Sequence, residues 1–482
     1  MNAPEKGTDL FSPAENKSVP FSPLPPLIDT HAHLDMPEFA ADLPGVLDRA
    51  RDVGIIHIVS ASIDLASLRR NLEIVAAHPG FVTTTAGVHP HDTAAVTPAD
   101  WEELARLAAD PRVVAIGETG LDYYRDRAPR ERQAELFVRH IALARALGKP
   151  LVIHSRDAAA DTFAILERER AGEIGGVLHC FSGTREDGER ALALGFLLSL
   201  AGPLTFPRST LPQAAGALPI EKMVIETDAP FLAPQAHRGQ RNEPAYVAET
   251  AAALAAIKGL AERDVRRITT RNACDLFRLP CPPAAPEIAY PIRNSLYLNV
   301  TSRCNNRCTF CTRESSPLVK GHDLHLEREP SAGEILAAAG DIAGYDEVVF
   351  CGFGEPLLRW DVVREVAQGL KQRGARVRIN TNGQSRLFLG RDILPEMAGV
   401  IDALSVSLNA PDAARYAKIC RPDAGESAYE AVKEFIRDAR TFVPSVTASV
   451  VALPGLDVEA CRRIAEKELG AAFRVRPYNE VG

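Results

Sequence analysis

At 482 residues the chain exceeds what one hydrophobic core fills, so two or three domains are expected. Its 46% hydrophobic and 24% charged residues are those of an ordinary globular protein, and no apolar run reaches the ~20 residues of a membrane span. The net charge of −8 argues against a broad basic face for nucleic acid: residues 25–280 carry 28 Lys and Arg against 34 Asp and Glu, and residues 288–482 balance at 25 each.

Residues 1–26 are rich in Pro, Ser and Asn and lack the basic start and apolar core of a signal peptide, so they read as a disordered leader. Eight β-rich runs follow: "PLIDTHAH", "IHIVSAS", "FVTTTAGV", "VVAIGE", "PLVIHSR", "GGVLHCF", "FLLSLAGPL" and "KMVIETD". Amphipathic stretches such as residues 130–148 separate them, which predicts a TIM-type (β/α)8 barrel over residues 27–279. Five prolines in residues 279–294 mark an extended linker, placed at 280–294. Residues 295–482 resume the alternation with "SLYLNVTS", "EVVFCGFGE", "RVRINTNG", "ALSVSLN", "SVTASVVAL" and "AFRVRPYN". Six units are too few for an ordinary closed barrel and predict a partial (β/α)6 barrel. The fold class is therefore α/β throughout. Nine irregularly spaced cysteines with no export signal read as reduced thiols, and the expected location is the cytoplasm, with no membrane association.

In the first domain, His31 and His33 stand two apart on a strand and face the same way. Glu118, His154, His179 and Asp228 each end a later strand, and barrel enzymes gather their chemistry at that rim. Six ligand-type residues exceed the needs of one tetrahedral ion. Two divalent ions are expected, with Glu118 as the carboxylate bridge; imidazole and carboxylate donors suit Zn²⁺ or Mn²⁺ and leave Mg²⁺ and Ni²⁺ open. Such a pair performs metal-assisted hydrolysis.

The stretches "IDTHAHLD", "GVHPHD", "AIGETGLDYY", "VIHSRDA", "VLHCFSG", "IETDAPFLAP" and "RGQRNEP" resemble the TatD family of metal-dependent hydrolases. The resemblance implies a deoxyribonuclease or phosphodiesterase acting on DNA or a small phosphodiester. It also implies one ion on His31, His33, Glu118 and Asp228 and a second on Glu118, His154 and His179. Glu118 and Asp228 would be the catalytic pair, with Asp228 orienting the attacking water. His89 and His91 either approach substrate or pack the loop. Arg156, Arg238 and Arg241 either neutralise phosphate oxygens or lie on the surface. Cys180 is expected to face away from the site, and His237 stands where the family commonly carries an aromatic residue.

In the second domain, Cys304, Cys308 and Cys311 form C-x3-C-x2-C at a strand end. Zinc with His322 as the fourth ligand is one reading. The other is a [4Fe-4S] cluster on three thiolates, its fourth iron open to a ligand. With "CGFGEPLL", this spacing resembles the radical SAM family, in which S-adenosylmethionine (SAM) fills the open position. The resemblance implies reductive cleavage of SAM to a 5′-deoxyadenosyl radical, an electron donor such as a ferredoxin or flavodoxin, and an unknown radical substrate. Phe353, Gly354 and Glu355 map onto the stretch that meets the methionyl amino group. Ser407 and Asn409 are the preferred ribose contacts, with Asn380, Asn382 and Ser405 on the same rim and Arg421 a candidate for the carboxylate. Cys351, Cys420 and Cys461 read as core thiols. The whole chain resembles radical SAM proteins associated with TatD-type nucleases. A hydrolase with a SAM-sensing, non-catalytic domain and a nucleic-acid modification enzyme are the alternatives.

Overall fold

The computed structural model describes residues 24–125, 127–281, 286–314, 318–319, 321–476 and 478. The chain forms two compact units that meet in sequence between residues 284 and 285. The leader up to residue 23, linker residues 282–285, and residues 477 and 479–482 lie outside the described residues.

In the first unit eight parallel strands run in sequence order: β1 Leu27–Ala32, β2 Ile55–Ser60, β3 Val82–Ala86, β4 Val113–Asp122, β5 Leu151–Arg156, β6 Gly176–Leu178, β7 Phe196–Leu200 and β8 Met223–Ile225. An Ala32–Ala229 bridge, with His33 N donating to Ala229 O and Asp228 N to His31 O, joins the last strand end to the first. The barrel closes at the rim where the expected ligands lie. Helices cover the outside. The helix Arg130–Leu147 stops where Gly148 turns left-handed at φ 62, releasing the chain into β5. Val152 and Val177 precede His154 and His179 by two residues and so share their faces. Both belong to an apolar cluster with Ile28, Val59, Ala115 and Val224 that packs on Phe277 of the helix Glu262–Phe277. The polar site thus stands above a filled apolar lumen.

The second unit begins earlier than its cysteine-bearing strand. Ala289–Ile292 (β9), inside the proline-rich stretch read as linker, pairs antiparallel with β10 Ser295–Leu298. Proline cannot donate to a ladder, and Pro291 is tolerated because β9 is the sheet edge. A short hairpin, β11 Leu318–Val319 and β12 His322–Asp323, follows. Then come β13 Glu347–Phe350, β14 Val377–Thr381, β15 Ala403–Ser407, β16 Ser445–Val451 and β17 Ala472–Arg476. The order β17-β16-β15-β14-β13-β10-β9 gives six parallel strands and one antiparallel edge, with two free ends: an open, partial barrel. Among the described residues no helix is long and apolar enough to cross a membrane.

Candidate metal centre and cysteine loop

The strand ends of the first unit bring His31, His33, Glu118, His154, His179 and Asp228 into one constellation. Asp228 adopts a left-handed backbone (φ 57), held by its N–H on His31 O, which turns the carboxylate inward. His31 Nε2 and His33 Nε2 are 3.3 Å apart. Glu118 Oε2 lies 3.4 and 3.7 Å from them, and Asp228 Oδ1 3.8 and 3.3 Å. Donors around a tetrahedral ion at ~2.1 Å stand about 3.4 Å apart, so His31, His33 and Glu118 outline three corners of such a shell, with Asp228 beside both histidines.

The other oxygen of Glu118 serves a second group. Oε1 is 2.9 Å from His154 Nδ1 and 3.0 Å from His179 Nε2, which are themselves 3.1 Å apart. Donors at right angles about a ~2.1 Å centre stand about 3.0 Å apart, so this trio fits three corners of an octahedron. The donor set therefore fits two divalent ions bridged by one carboxylate.

Three of the four rings are aimed by the nitrogen they do not offer, while the buried Nδ1 of His31 has no partner. His33 Nδ1 faces Ala61 O at 3.2 Å, and His179 Nδ1 faces Glu226 Oε1 at 3.3 Å. His154 is reversed: its Nε2 meets Asp122 Oδ2 at 3.1 Å and frees Nδ1 for the site. The other oxygen of Asp122 accepts the N–H groups of Tyr124 and Arg125, fixing the carboxylate. Sequence reasoning missed Asp122 and Glu226, although Asp122 lies four residues beyond Glu118 and Glu226 two before Asp228.

Without cations, protons neutralise the cluster. Burial and then His179 lower the His31 pKa. Burial opposes charge on His33 too, but Asp228 and Glu118 push it up to about 9. Burial likewise opposes charge on His154 and His179, yet nearby carboxylates raise both. Against its own burial, Glu118 is held well below its usual range by His179 and His89.

His89 stands 3.4 Å from Glu118 Oε1 through Nε2. Its Nδ1 accepts the His91 N–H, which leaves the neutral ring's proton on Nε2: His89 is a donor at the rim, not a spare ligand. His91 Nε2 lies 3.0 Å from Asp122 Oδ2 but out of line for a hydrogen bond. Arg241 is committed to Asp42 (2.7 and 2.8 Å) and to Glu38 O. Arg156 lies over the Tyr124 ring at 3.9 Å, and Arg238 over Phe206 at 4.3 Å. Cys180 is half-buried and its main-chain N–H donates to Glu226 Oε1 at 2.6 Å; burial, then the Asp228 and Glu226 charges, raise the thiol's pKa. His237 stacks on Tyr246 and pairs with Glu249 at 2.5 Å.

In the second unit, Cys304, Cys308 and Cys311 occupy the loop after β10. That loop is tied to the end of the helix Ala413–Cys420: Arg307 N and Thr309 N donate to Cys420 O and Ile419 O, and Asn306 bridges to Pro422. A polar web holds its two asparagines. Asn382 Nδ2 donates to Asn305 Oδ1 (2.6 Å), Asn305 Nδ2 to Gln384 Oε1 (2.9 Å), and Gln384 Nε2 to Asn306 Oδ1 (2.9 Å) and the Tyr416 hydroxyl (3.0 Å). The Cys308 thiol lies beside Cys420, and that neighbour and burial raise its pKa. A zinc site would need a fourth protein ligand beside the three thiolates. His322 is unavailable to zinc, with Nδ1 on Glu287 (2.8 Å) and Nε2 on Pro291 O (3.1 Å).

Phe353 is buried with Tyr290 and Leu324. Gly354 touches the cysteine loop through its N–H on Thr301 O. Glu355 is buried and already accepts from Thr381 Oγ1, Asn382 N and Leu357 N. Burial pushes its pKa up to about 7 against those three donors. Asn409, left-handed at φ 52, donates to Cys420 Sγ (3.6 Å), and its Oδ1 is buried without a partner. Ser407 pairs in register with Ser449, and Asn380 and Ser405 also pair, while Asn380 Oδ1 is taken by Arg378. Arg421 borders an open hollow with Arg307, Cys308 and Cys311. Cys420 and Cys461 lie in the core; Cys351 is half-buried.

Comparison with known proteins bears on both units. The chain is 39% identical over 254 residues to the metal-dependent hydrolase YabD of Bacillus subtilis, covering 52% of this chain and 99% of that protein. It is 34% identical over 259 residues to the 3′-5′ ssDNA/RNA exonuclease TatD of Edwardsiella piscicida, covering 52% of this chain and all of that one. The crystal structure of the TatD homologue YjjV from Escherichia coli K12 aligns with a TM-score of 0.50 and 30% identity, over 53% of this chain and 98% of that one. Residues 28–278 match the TatD-related DNase family, and residues 298–467 the radical SAM superfamily. The chain thus belongs to the TatD-related family of metal-dependent hydrolases and carries a radical SAM domain behind that barrel.

Proposed function

We propose that the first unit hydrolyses phosphodiester bonds with two divalent ions and that the second cleaves SAM reductively at a [4Fe-4S] cluster on Cys304, Cys308 and Cys311. The carrying observation is Glu118, whose two oxygens each face a separate donor group at coordination spacing. Two cations held by these residues would lower the pKa of a water and neutralise a phosphoryl oxygen. Around them, Asp228 accepts the water's proton, and His89 Nε2–H donates toward the phosphoryl group. Asp122 and Glu226 keep His154 and His179 in the tautomers that serve the site. Single-stranded nucleic acid, named for the exonuclease relative, is the favoured substrate: Phe231, 46% exposed and 6.0 Å from the His33 ring, offers a base a stacking surface at the site. Mn²⁺-loaded chain is expected to release nucleotides from a short single-stranded oligonucleotide. A loaded chain that cleaves neither that nor bis(p-nitrophenyl) phosphate would overturn the hydrolase reading.

In the second unit Cys304, Cys308 and Cys311 would hold the cluster, which would supply the electron for reductive cleavage of SAM. The chain's part is to present three thiolates on a loop braced by Asn305, Asn306, Gln384 and Tyr416. Anaerobically reconstituted and reduced chain is expected to convert SAM to 5′-deoxyadenosine, and Cys308→Ala to abolish it. SAM bound without that product points instead to a sensor.

A further inference from the structure

The strands of the second unit alternate between two faces. Val377, Ile379, Leu404, Val406, Ala448 and Val450 lie in the core under the helices. Their neighbours Arg378, Asn380, Ser405, Thr447 and Ser449 turn to the inner face. On β17, Phe473 packs against that core, with Arg462 over its ring at 4.8 Å, so Arg474 and Arg476 share the inner face. The register sets Arg474 beside Ser449 and Arg476 beside Val451.

This inner face is cationic and uncompensated. Glu347 is the one carboxylate on the six parallel strands, and both its oxygens are taken by Arg378, at 3.0 and 2.7 Å. Among the described residues Arg474 and Arg476 have no ion pair, and the buried Nε of Arg476 has no hydrogen-bond partner. Arg476 lies near Cys351, Cys308 and Cys420, toward the cysteine loop. Burial depresses its pKa, those thiols act against the shift, and Arg474 adds to it. Arg476 is half-buried with its Nε shut off from water, while Arg474 beside it is exposed; a buried guanidinium nitrogen without an acceptor is costly. The planar guanidinium fork matches a carboxylate or phosphate.

We infer that Arg474 and Arg476 form an anion subsite on the inner face of the second unit, and that the molecule on which this domain acts carries a carboxylate or phosphate group. The inference rests on the radical SAM reading and deepens it by naming the substrate's chemistry. The polar wall formed by Ser405, Thr447 and Ser449 suits the remainder of a small hydrophilic molecule.

The test is arginine footprinting of the full chain with phenylglyoxal, read peptide by peptide by mass spectrometry, with and without inorganic phosphate at constant ionic strength. Peptide resolution separates this site from phosphate bound at the hydrolase metals. With the cluster loaded and SAM bound, phosphate is expected to slow modification of Arg474 and Arg476 at least about threefold, as charge-assisted pairing would. Arg476→Gln is expected to abolish the protection of Arg474. Two results overturn the inference. Protection by SAM alone, with nothing added by phosphate, assigns the arginines to the cofactor's own carboxylate; no protection by either leaves no anion site. The footprint is also read on cluster-free chain, where phosphate is expected to protect equally. Failure to load a cluster would defeat the radical SAM reading, whereas absent protection on loaded chain defeats only this inference.

Discussion

Gly354→Ala isolates the coupling between the "GFGEP" stretch and the cysteine loop. A Cβ at Gly354 would stand 2.3 Å from Thr301 O and 2.4 Å from Arg303 O, both main-chain atoms. No side-chain rotation relieves that contact. The segment that ends at Cys304 must retreat by about 1 Å, straining the bonds from Gly354 N to Thr301 O (3.0 Å) and from Glu355 N to Arg303 O (2.8 Å). Overpacking of this kind costs about 1–3 kcal/mol. For a unit of this size, 2 kcal/mol lowers Tm by about 4–8 °C. Calorimetry of the full chain is expected to show the second unit melting earlier and the first unchanged. Iron and sulfide per chain fall, while Mn²⁺-dependent phosphodiesterase activity stays at wild-type level. Gly333→Ala is the control: its Cβ meets nothing within 4 Å, near the start of the helix Ala332–Ala339, so it is expected to be neutral or slightly stabilising. Wild-type melting with full iron in Gly354→Ala would refute the argument and return the glycine to ligand contact alone.

Three further outcomes follow from the barrel site. Glu118→Gln keeps the shape but removes the bridging charge, so metal analysis is expected to fall from two ions per chain to one or none, with kcat down roughly 100-fold or more; two retained ions would contradict the bridge. Asp122→Asn can no longer fix the His154 tautomer, and titration of the second ion is expected to weaken about 10- to 100-fold while the first is unmoved. In metal-free chain the raised His33 pKa adds stability that is complete below its unfolded value of 6.5 and is lost as pH rises through about 9. Urea melts of metal-free chain are therefore expected to weaken across that window. Metal affinity, measured by chelator competition, should rise over the same window as the proton becomes easier to displace; a flat affinity would deny that protons hold the site.

The strand-end ligands were legible because each belongs to a local pattern: His31 and His33 by period two, the others by closing an apolar run. Their neighbours were not. Asp122 and Glu226 look like any acid near a loop until the barrel closes and sets them against His154 and His179. Asn305 and Asn306 find their partners 77 to 110 residues away, beyond any window of sequence reading. The proline-rich stretch hid β9 because the usual inference, that proline ends a strand, fails at a sheet edge. Glu355 has a further task that its motif does not announce: its carboxylate accepts from three internal donors that tie β13's exit to β14's.

On the proposed function, the two sites would take up metal in different ways. In the barrel the donor atoms already stand at coordination spacing, and imidazolium protons occupy the place of cation charge between Glu118 and Asp228. Loading there is an exchange of protons for metal and demands little movement of the frame. In the second unit the backbone is fixed first, by the Asn305–Gln384–Asn306 web and the ties to Ile419 and Cys420, while the Cys308 thiol lies beside Cys420. A cluster entering that loop must draw the Cys308 thiol from Cys420 and turn side chains, but it need not fold the loop. Cys420→Ala is accordingly expected to speed cluster insertion in reconstitution, because it removes the competing partner and leaves both main-chain ties in place. Slower insertion would mean that Cys420 guides the cluster in, and that the pair of thiols is part of the loading path.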